Sequence, residues 1–215
     1  MNNPSRRVEW MVWGGLAAII LAITGALAVS RLKPASPALP VLGPVADFAF
    51  TNQDSQPVSL ADLRGHVWVA DIIFTRCPGP CLRMTEQMKE LQAALPASSN
   101  ARLVSFTTDA GFDTPPVLKK YAGRFGADPE RWMFLTGNKT NIANLAIDSL
   151  KLTVVEKKPE ERTSPNDLFV HSTIFVIIDQ QGQLRGVYET GGEDVDWQKS
   201  KAELLAAVRQ LEHNP

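Results

Sequence analysis

Val67-Trp68-Val69-Ala70-Asp71-Ile72-Ile73-Phe74 is an apolar, β-branched run that leads straight into Cys77 and Cys81. A strand of this kind is buried on both faces, so its sheet needs a layer above and a layer below. That requirement points to the α/β class, and the rest of the chain supplies the layers. Cys81–Leu95 has the spacing of a helix, Arg102–Thr107 of a strand, and Thr114–Phe125 of a helix with Pro115 and Pro116 in its first turn. Trp132–Leu135 is a short strand, Thr140–Ser149 a helix, and Leu152–Val155 a further strand or strand edge. Lys157–Asp167 is charged and contains proline, so it reads as a solvated loop. Two hairpins frame the series: Asp47–Leu60, turning at Asn52–Ser55, and Thr173–Ile178 with Gln183–Tyr188, turning at Gln180-Gln181-Gly182. Trp197–Leu211 closes the chain as a helix. The expected fold is a central mixed sheet flanked by helices.

The first thirty residues follow different rules. Trp10 to Ser30 holds no charged side chain and as a helix spans about 30 Å, the thickness of a bilayer core. Trp10 and Trp13 suit the headgroup level, and Arg6-Arg7 argues for an inside N-terminus, which Arg31 and Lys33 weaken. A cleaved secretory signal is the alternative, with Ala26-Leu27-Ala28 as its cleavage site, but the apolar stretch is longer than such signals use. The expected organisation is residues 1–9 cytoplasmic, 10–30 a transmembrane anchor, 31–44 a proline-rich spacer and 45–215 the folded domain. Either way the domain is exported: single-pass in an inner membrane, facing the periplasm. A mitochondrial intermembrane space is disfavoured, because no Arg- and Ser-rich transit segment precedes the anchor.

A net charge of −1 without a basic run argues against nucleic acid as a partner. The two cysteines, four positions apart where a strand gives way to a helix, cannot staple distant parts of the fold. They read as a site. On a helix, residues i and i+4 share a face, close enough to grip one ion or to join each other. Free N–H groups and the helix dipole there favour thiolate over thiol. A metal clamp and an exchanging dithiol both fit, and a third ligand would decide between them. Of the three histidines, His213 lies at the C-terminal end and His66 enters the buried strand on the side away from the cysteines. His171 precedes a buried strand whose end can approach the cysteine-bearing helix. Met84 and Met88 are thioethers near Cys81, but their helical spacing reads as core. Asp113 reads chiefly as a helix cap before Pro115-Pro116, and Asp109 as a loop residue; both are candidates for a docking or supporting patch.

Phe74-Thr75-Arg76-Cys77-Pro78-Gly79-Pro80-Cys81 resembles the F-x-T-x-C-P-x-x-C signature of the Sco/SenC copper-chaperone family. Ser105 to Asp109 and Asp113-Thr114-Pro115 resemble that family's S-x-x-x-D-P-x-x-D-T-P stretch, with Ala110 where the family has proline. Val170-His171-Ser172-Thr173, followed by an apolar strand ending at Asp179, resembles its histidine block. The likeness runs from about Val45 to the C-terminus. It implies a thioredoxin-like fold, Cys77, Cys81 and His171 as copper ligands, and a role in building the binuclear copper centre of cytochrome c oxidase. The implied partners are the oxidase subunit carrying that centre and an upstream copper donor. Two thiolates and an imidazole suit Cu(I), with Cu(II) tolerated, and leave an open position for an acceptor's ligand. A zinc site would want a fourth protein ligand. The resemblance thus implies a non-enzymatic metallochaperone. The competing reading is a thiol–disulfide oxidoreductase in which Cys77 and Cys81 form a redox disulfide. Against it, Val170 to Thr173 holds no proline of the kind that opens the substrate-binding strand of such reductases, and C-x-x-x-C is one residue longer than the common redox pair.

Overall fold

The computed structural model describes residues 4–31 and 38–213, with side chains from 9 to 26 and from 38 to 213, that of His171 excepted. Residues 32–37 of the expected spacer lie outside the described residues. The chain divides into two units, Met1–Ala38 and Leu39–Pro215. The first contains one helix, α1 (Pro4–Arg31). Its window Glu9–Ala26, of mean hydropathy 1.5, is long and apolar enough to cross a membrane. Thr24 returns its hydroxyl to the Ile20 carbonyl at 2.8 Å, so the polar group is satisfied within the helix.

The second unit is built on a curled, mixed sheet of eight strands. In chain order these are β1 (Gly43–Pro44), β2 (Ala49–Asn52), β3 (Pro57–Ser59), β4 (Trp68–Ile73), β5 (Arg102–Thr107), β6 (Trp132–Thr136), and then, after a separate pair, β9 (Ile174–Ile178) and β10 (Gln183–Glu189). The separate pair is β7 (Val154–Glu156) and β8 (Phe169–His171). The spatial order is β1-β10-β9-β4-β5-β6-β2-β3. β4, β5 and β6 are parallel, and β9 adds antiparallel to β4. Helices α2 (Leu60–Leu63), α3 (Pro80–Ala94), α4 (Pro115–Phe125), α5 (Lys139–Asn144) and α6 (Trp197–His213) complete the unit.

All six residues of β4 are buried, as its composition requires. Because side chains alternate along a strand, the run feeds two cores. Val67, Val69 and Ile73 join Met84, Met88 and Leu91 of α3, Tyr121 and Phe125 of α4, and Leu204, Val208 and Leu211 of α6. Trp68, Ala70 and Ile72 join Phe50, Phe106, Leu135, Ile142 and Leu145. Each large side chain buried in this way stabilises the fold by about 1.5–3 kcal/mol. Met84 and Met88 are fully buried in the first core, as their helical spacing suggests.

Local signals account for most boundaries. Pro115 and Pro116 open α4, and Gly126, at φ 66°, closes it in the left-handed conformation that glycine adopts without a Cβ penalty. The helix expected over Thr140–Ser149 is α5 followed by a π-helical turn, Leu145–Ser149, where the Ser149 hydroxyl accepts from the Ala46 amide at 3.1 Å. The charged segment expected to be a loop connects β7 to β8.

Candidate metal centre

β4 ends at Ile73, and the chain turns so that the Cys77 amide donates to the Phe74 carbonyl at 3.1 Å. Helix α3 starts only at Pro80, with Gly79 as its N-cap. Cys77 therefore precedes the helix and Cys81 lies in its first turn. The sequence expectation that the two share a helical face is corrected here. Pro78 and Pro80 disfavour helical geometry in the residues before them, Cys77 and Gly79, so a turn brings the sulfur-bearing residues together. The pair still approaches to 3.2 Å, as thiols.

The two cysteines differ in environment. Cys77 is half-buried, whereas Cys81 is fully buried. Burial pushes the Cys81 thiol far above its ordinary pKa, and neighbouring Cys77 and the Asp71 carboxylate add to the shift. Burial and the helix N-terminus therefore act in opposite directions on the Cys81 thiol. A helix dipole contributes about 0.3–1 kcal/mol, under one pKa unit, while desolvation of a buried group moves a pKa by up to about 3–5 units. Burial wins.

Asp71 is the residue the sequence reading missed. It is fully buried in mid-β4, and its charge raises the pKa of both Cys81 and Tyr121. The available signal was one carboxylate inside an otherwise apolar strand. Around it, Thr85 donates to the Cys81 carbonyl at 2.8 Å and shares a hydrogen bond with the Tyr121 hydroxyl at 2.9 Å.

Two further carboxylates hold the residues just before Cys77. Asp109 accepts from Arg76 Nε at 3.0 Å and Nη2 at 2.6 Å, and the Arg76 guanidinium lies 4.1 Å over the Phe112 ring. Asp113, fully buried, accepts from the Thr75 amide at 3.0 Å, from the Thr75 hydroxyl, and from the Thr107 hydroxyl at 2.5 Å. The capping role expected for Asp113 is not what it does. Thr114 is the N-cap of α4, without a side-chain cap bond, and Asp113 faces the cysteine loop instead. Burial raises the Asp113 pKa even against these hydrogen bonds. The turn that contains Ala110 is closed by the Phe112 and Asp113 amides, which donate to the Asp109 carbonyl at 2.9 and 2.8 Å.

Across a cleft from Cys77 lies the β7–β8 pair, in which His171 stands across from Val154. The imidazole of His171 lies outside the described residues; its backbone is the end of β8. The preceding residues, Phe169 and Val170, border a cleft of about 360 Å³ together with Phe74, Cys77, Pro78 and Pro80. Phe169 packs edge-on against Phe74, with centroids 5.2 Å apart, which pins β8 to the end of the cysteine strand. Lys157 and Asp167 close the rim, with Lys157 Nζ 2.8 Å from both carboxylate oxygens. Lys157, with the Thr163 amide and hydroxyl, holds the Asp167 carboxyl at about 2. His66 hydrogen-bonds the Asn100 carbonyl at 2.9 Å near the other end of β4, and His213 the Arg209 carbonyl at 2.7 Å. Among the described residues no three His, Cys, Asp or Glu side chains converge as a metal-binding group. A larger cleft, about 540 Å³, lies between Ala46–Phe50 and Asn141–Ser149 and contains neither cysteine nor histidine.

The family model described as SCO1/SenC matches residues 43–206. The SCO1 protein homolog of Bacillus subtilis (strain 168) is 38% identical over 157 residues, which is 70% of this chain and 78% of that protein. The solved structure of BsSco, described as having a disulfide switch and as a member of the Sco family of cytochrome c oxidase assembly proteins, superposes with a TM-score of 0.68 at 31% identity. That match covers 83% of this chain and 99% of BsSco. Bradyrhizobium japonicum ScoI, solved with copper bound, shares the fold with a TM-score of 0.61 at 20% identity, covering 75% of this chain and 98% of its own.

Proposed function

The chain belongs to the SCO1/SenC family, and from that premise we propose that it carries one copper ion between Cys77, Cys81 and His171 and delivers it to the binuclear copper centre of cytochrome c oxidase. The observation that carries this reading is the 3.2 Å approach of the cysteine pair across a cleft from the strand that ends at His171. Two thiolates and an imidazole are a soft donor set that suits Cu(I). Copper is cargo here. It displaces the Cys81 proton on binding, and the open side of the cleft admits an acceptor's ligand. The copper held by Bradyrhizobium japonicum ScoI and the oxidase-assembly description of BsSco support the reading at the level of the family.

In this proposal residues 1–9 are cytoplasmic, 10–30 anchor the chain, 31–44 form a spacer, and 45–215 form a thioredoxin-like domain in the periplasm. Asp109 and Asp113 support the metal loop by holding Arg76 and Thr75. An upstream donor loads the site.

The second reading, thiol–disulfide exchange by Cys77 and Cys81, has its own observation: the two cysteines are in close non-bonded contact at 3.2 Å, and BsSco is described as having a disulfide switch. His171→Ala separates the two. Copper delivery predicts that the full-length variant loses stoichiometric Cu(I) and oxidase assembly while keeping dithiol exchange. Intact oxidase assembly in His171→Ala would overturn copper delivery in favour of exchange.

A further inference from the structure

We propose that the open face beside the cysteine loop, bounded by Arg76, Phe112, Lys120 and Arg124, receives an acidic segment of the protein that accepts the ion. The inference rests on the delivery reading above and names the chemistry of the acceptor's docking surface. These residues line a single cleft of about 300 Å³ whose floor includes Thr75 and Tyr121. Lys120 and Arg124 are four apart on α4, both exposed, a like-charge arrangement that works against an isolated helix. No carboxylate lies within ion-pair reach of either among the described residues, whereas the adjacent Lys119 pairs with Asp54 at 2.9 Å. Arg124 is instead spread over the Tyr121 and Phe125 rings, at 5.9 and 6.0 Å.

Arg76, whose charge is already met by Asp109 at 2.6 Å, connects this face to the site. Arg76 immediately precedes Cys77, and it is held against the Phe112 ring, which is 43% exposed. Leu82, next to Cys81 in sequence, and Val170, next to His171, are each 49% exposed. An apolar rim around the cysteines flanked by cations is matched by a partner that is apolar at its centre and carboxylate-bearing at one edge. The cations are too few for a polyanion such as nucleic acid, and the chain's net charge of −1 supplies no wider basic field.

The test uses the full chain in a neutral-lipid nanodisc and a synthetic Asp/Glu-rich peptide as the probe. The peptide should bind, shift the amide resonances of Phe112, Lys120 and Arg124, and release as ionic strength rises towards ~0.5 M, where charges are screened within a few ångströms. Lys120→Glu combined with Arg124→Glu should weaken that binding by roughly tenfold to a hundredfold. The double variant should slow Cu(I) transfer to the copper-bearing domain of the oxidase subunit to a similar extent, while Lys199→Glu on α6 changes neither and copper stoichiometry stays the same in all. Lys120→Gln with Arg124→Gln should fall between. Peptide binding that is absent, or indifferent to the charge reversal, overturns the proposal. A face that responds only when anionic lipid replaces neutral lipid would overturn it too, assigning the cations to a lipid surface. Peptide binding without any transfer from the wild-type chain would instead remove the delivery reading and leave the acidic-segment site standing.

Discussion

The Asp113 carboxylate accepts the Thr75 amide at 3.0 Å, tying the second residue before α4 to the second residue before Cys77. The bond spans 38 positions of sequence and makes the geometry of the cysteine loop depend on a carboxylate outside it.

Asp113→Ala should destabilise the domain by about 2–3 kcal/mol, because the Thr75 amide loses its acceptor in a buried setting. Urea unfolding with an unchanged m-value is the check. Looser copper binding should accompany it, since Thr75 and Arg76 lead directly into Cys77.

The same group gives a pH signature. Burial raises the folded-state pKa of Asp113 above its ordinary 3.8. A carboxyl with a raised folded pKa contributes stability that is fully present below 3.8 and is lost as pH rises through the raised value. The stability difference between the wild-type chain and Asp113→Asn should therefore shift against the wild type as pH rises from 3.8 and then level off. A flat difference across that window would show that the carboxyl is not perturbed.

Cys77 and Cys81 should alkylate at very different rates. Cys77 borders the cleft, while Cys81 is fully buried and its burial keeps it protonated. Since only thiolate reacts, metal-free reduced chain treated with iodoacetamide at neutral pH should label Cys77 first, with Cys81 at least ~100-fold slower. Mass spectrometry of the alkylated peptides reads the ratio, and equal rates would contradict the buried position of Cys81.

Phe169→Ala removes the ring that packs on Phe74 and should cost about 3 kcal/mol, most of it local to β8. If β8 carries a copper ligand, copper affinity should fall while dithiol exchange by the cysteines persists. Hydrogen exchange at the β7–β8 amides and a copper titration measure the two effects separately.

The Lys157–Asp167 pair should govern the loop between β7 and β8. The folded-state pKa of Asp167 is depressed to about 2, so its contribution is present above 3.8 and is lost as pH falls through about 2. Limited proteolysis at Arg162 should stay slow down to pH ~4 and accelerate below it. Asp167→Asn should show the fast cleavage already at neutral pH.

The buried strand was legible because its pattern has one physical solution: an apolar, β-branched run must be covered on both faces, and β4 divides its side chains between two cores. The cysteine spacing was legible as a site for a similar reason, since two sulfurs so close in sequence cannot cross-link distant elements. Asp113 was legible only as a cap or a candidate for a supporting patch, and Asp71 was not legible at all. Each depends on a neighbour distant in sequence: Thr75 for Asp113, and for Asp71 the Cys81 side chain that α3 lays against β4.

Composition and periodicity by themselves determined the α/β class, the apolar N-terminal helix and the position of the dithiol, because each follows from local backbone preference and apolar burial. Only the tertiary structure decided that burial works against the Cys81 thiolate, that Asp113 grips the cysteine loop, and that β8 faces Cys77 across a cleft. Desolvation and hydrogen-bond geometry are properties of the packed chain, and no spacing along the sequence encodes them.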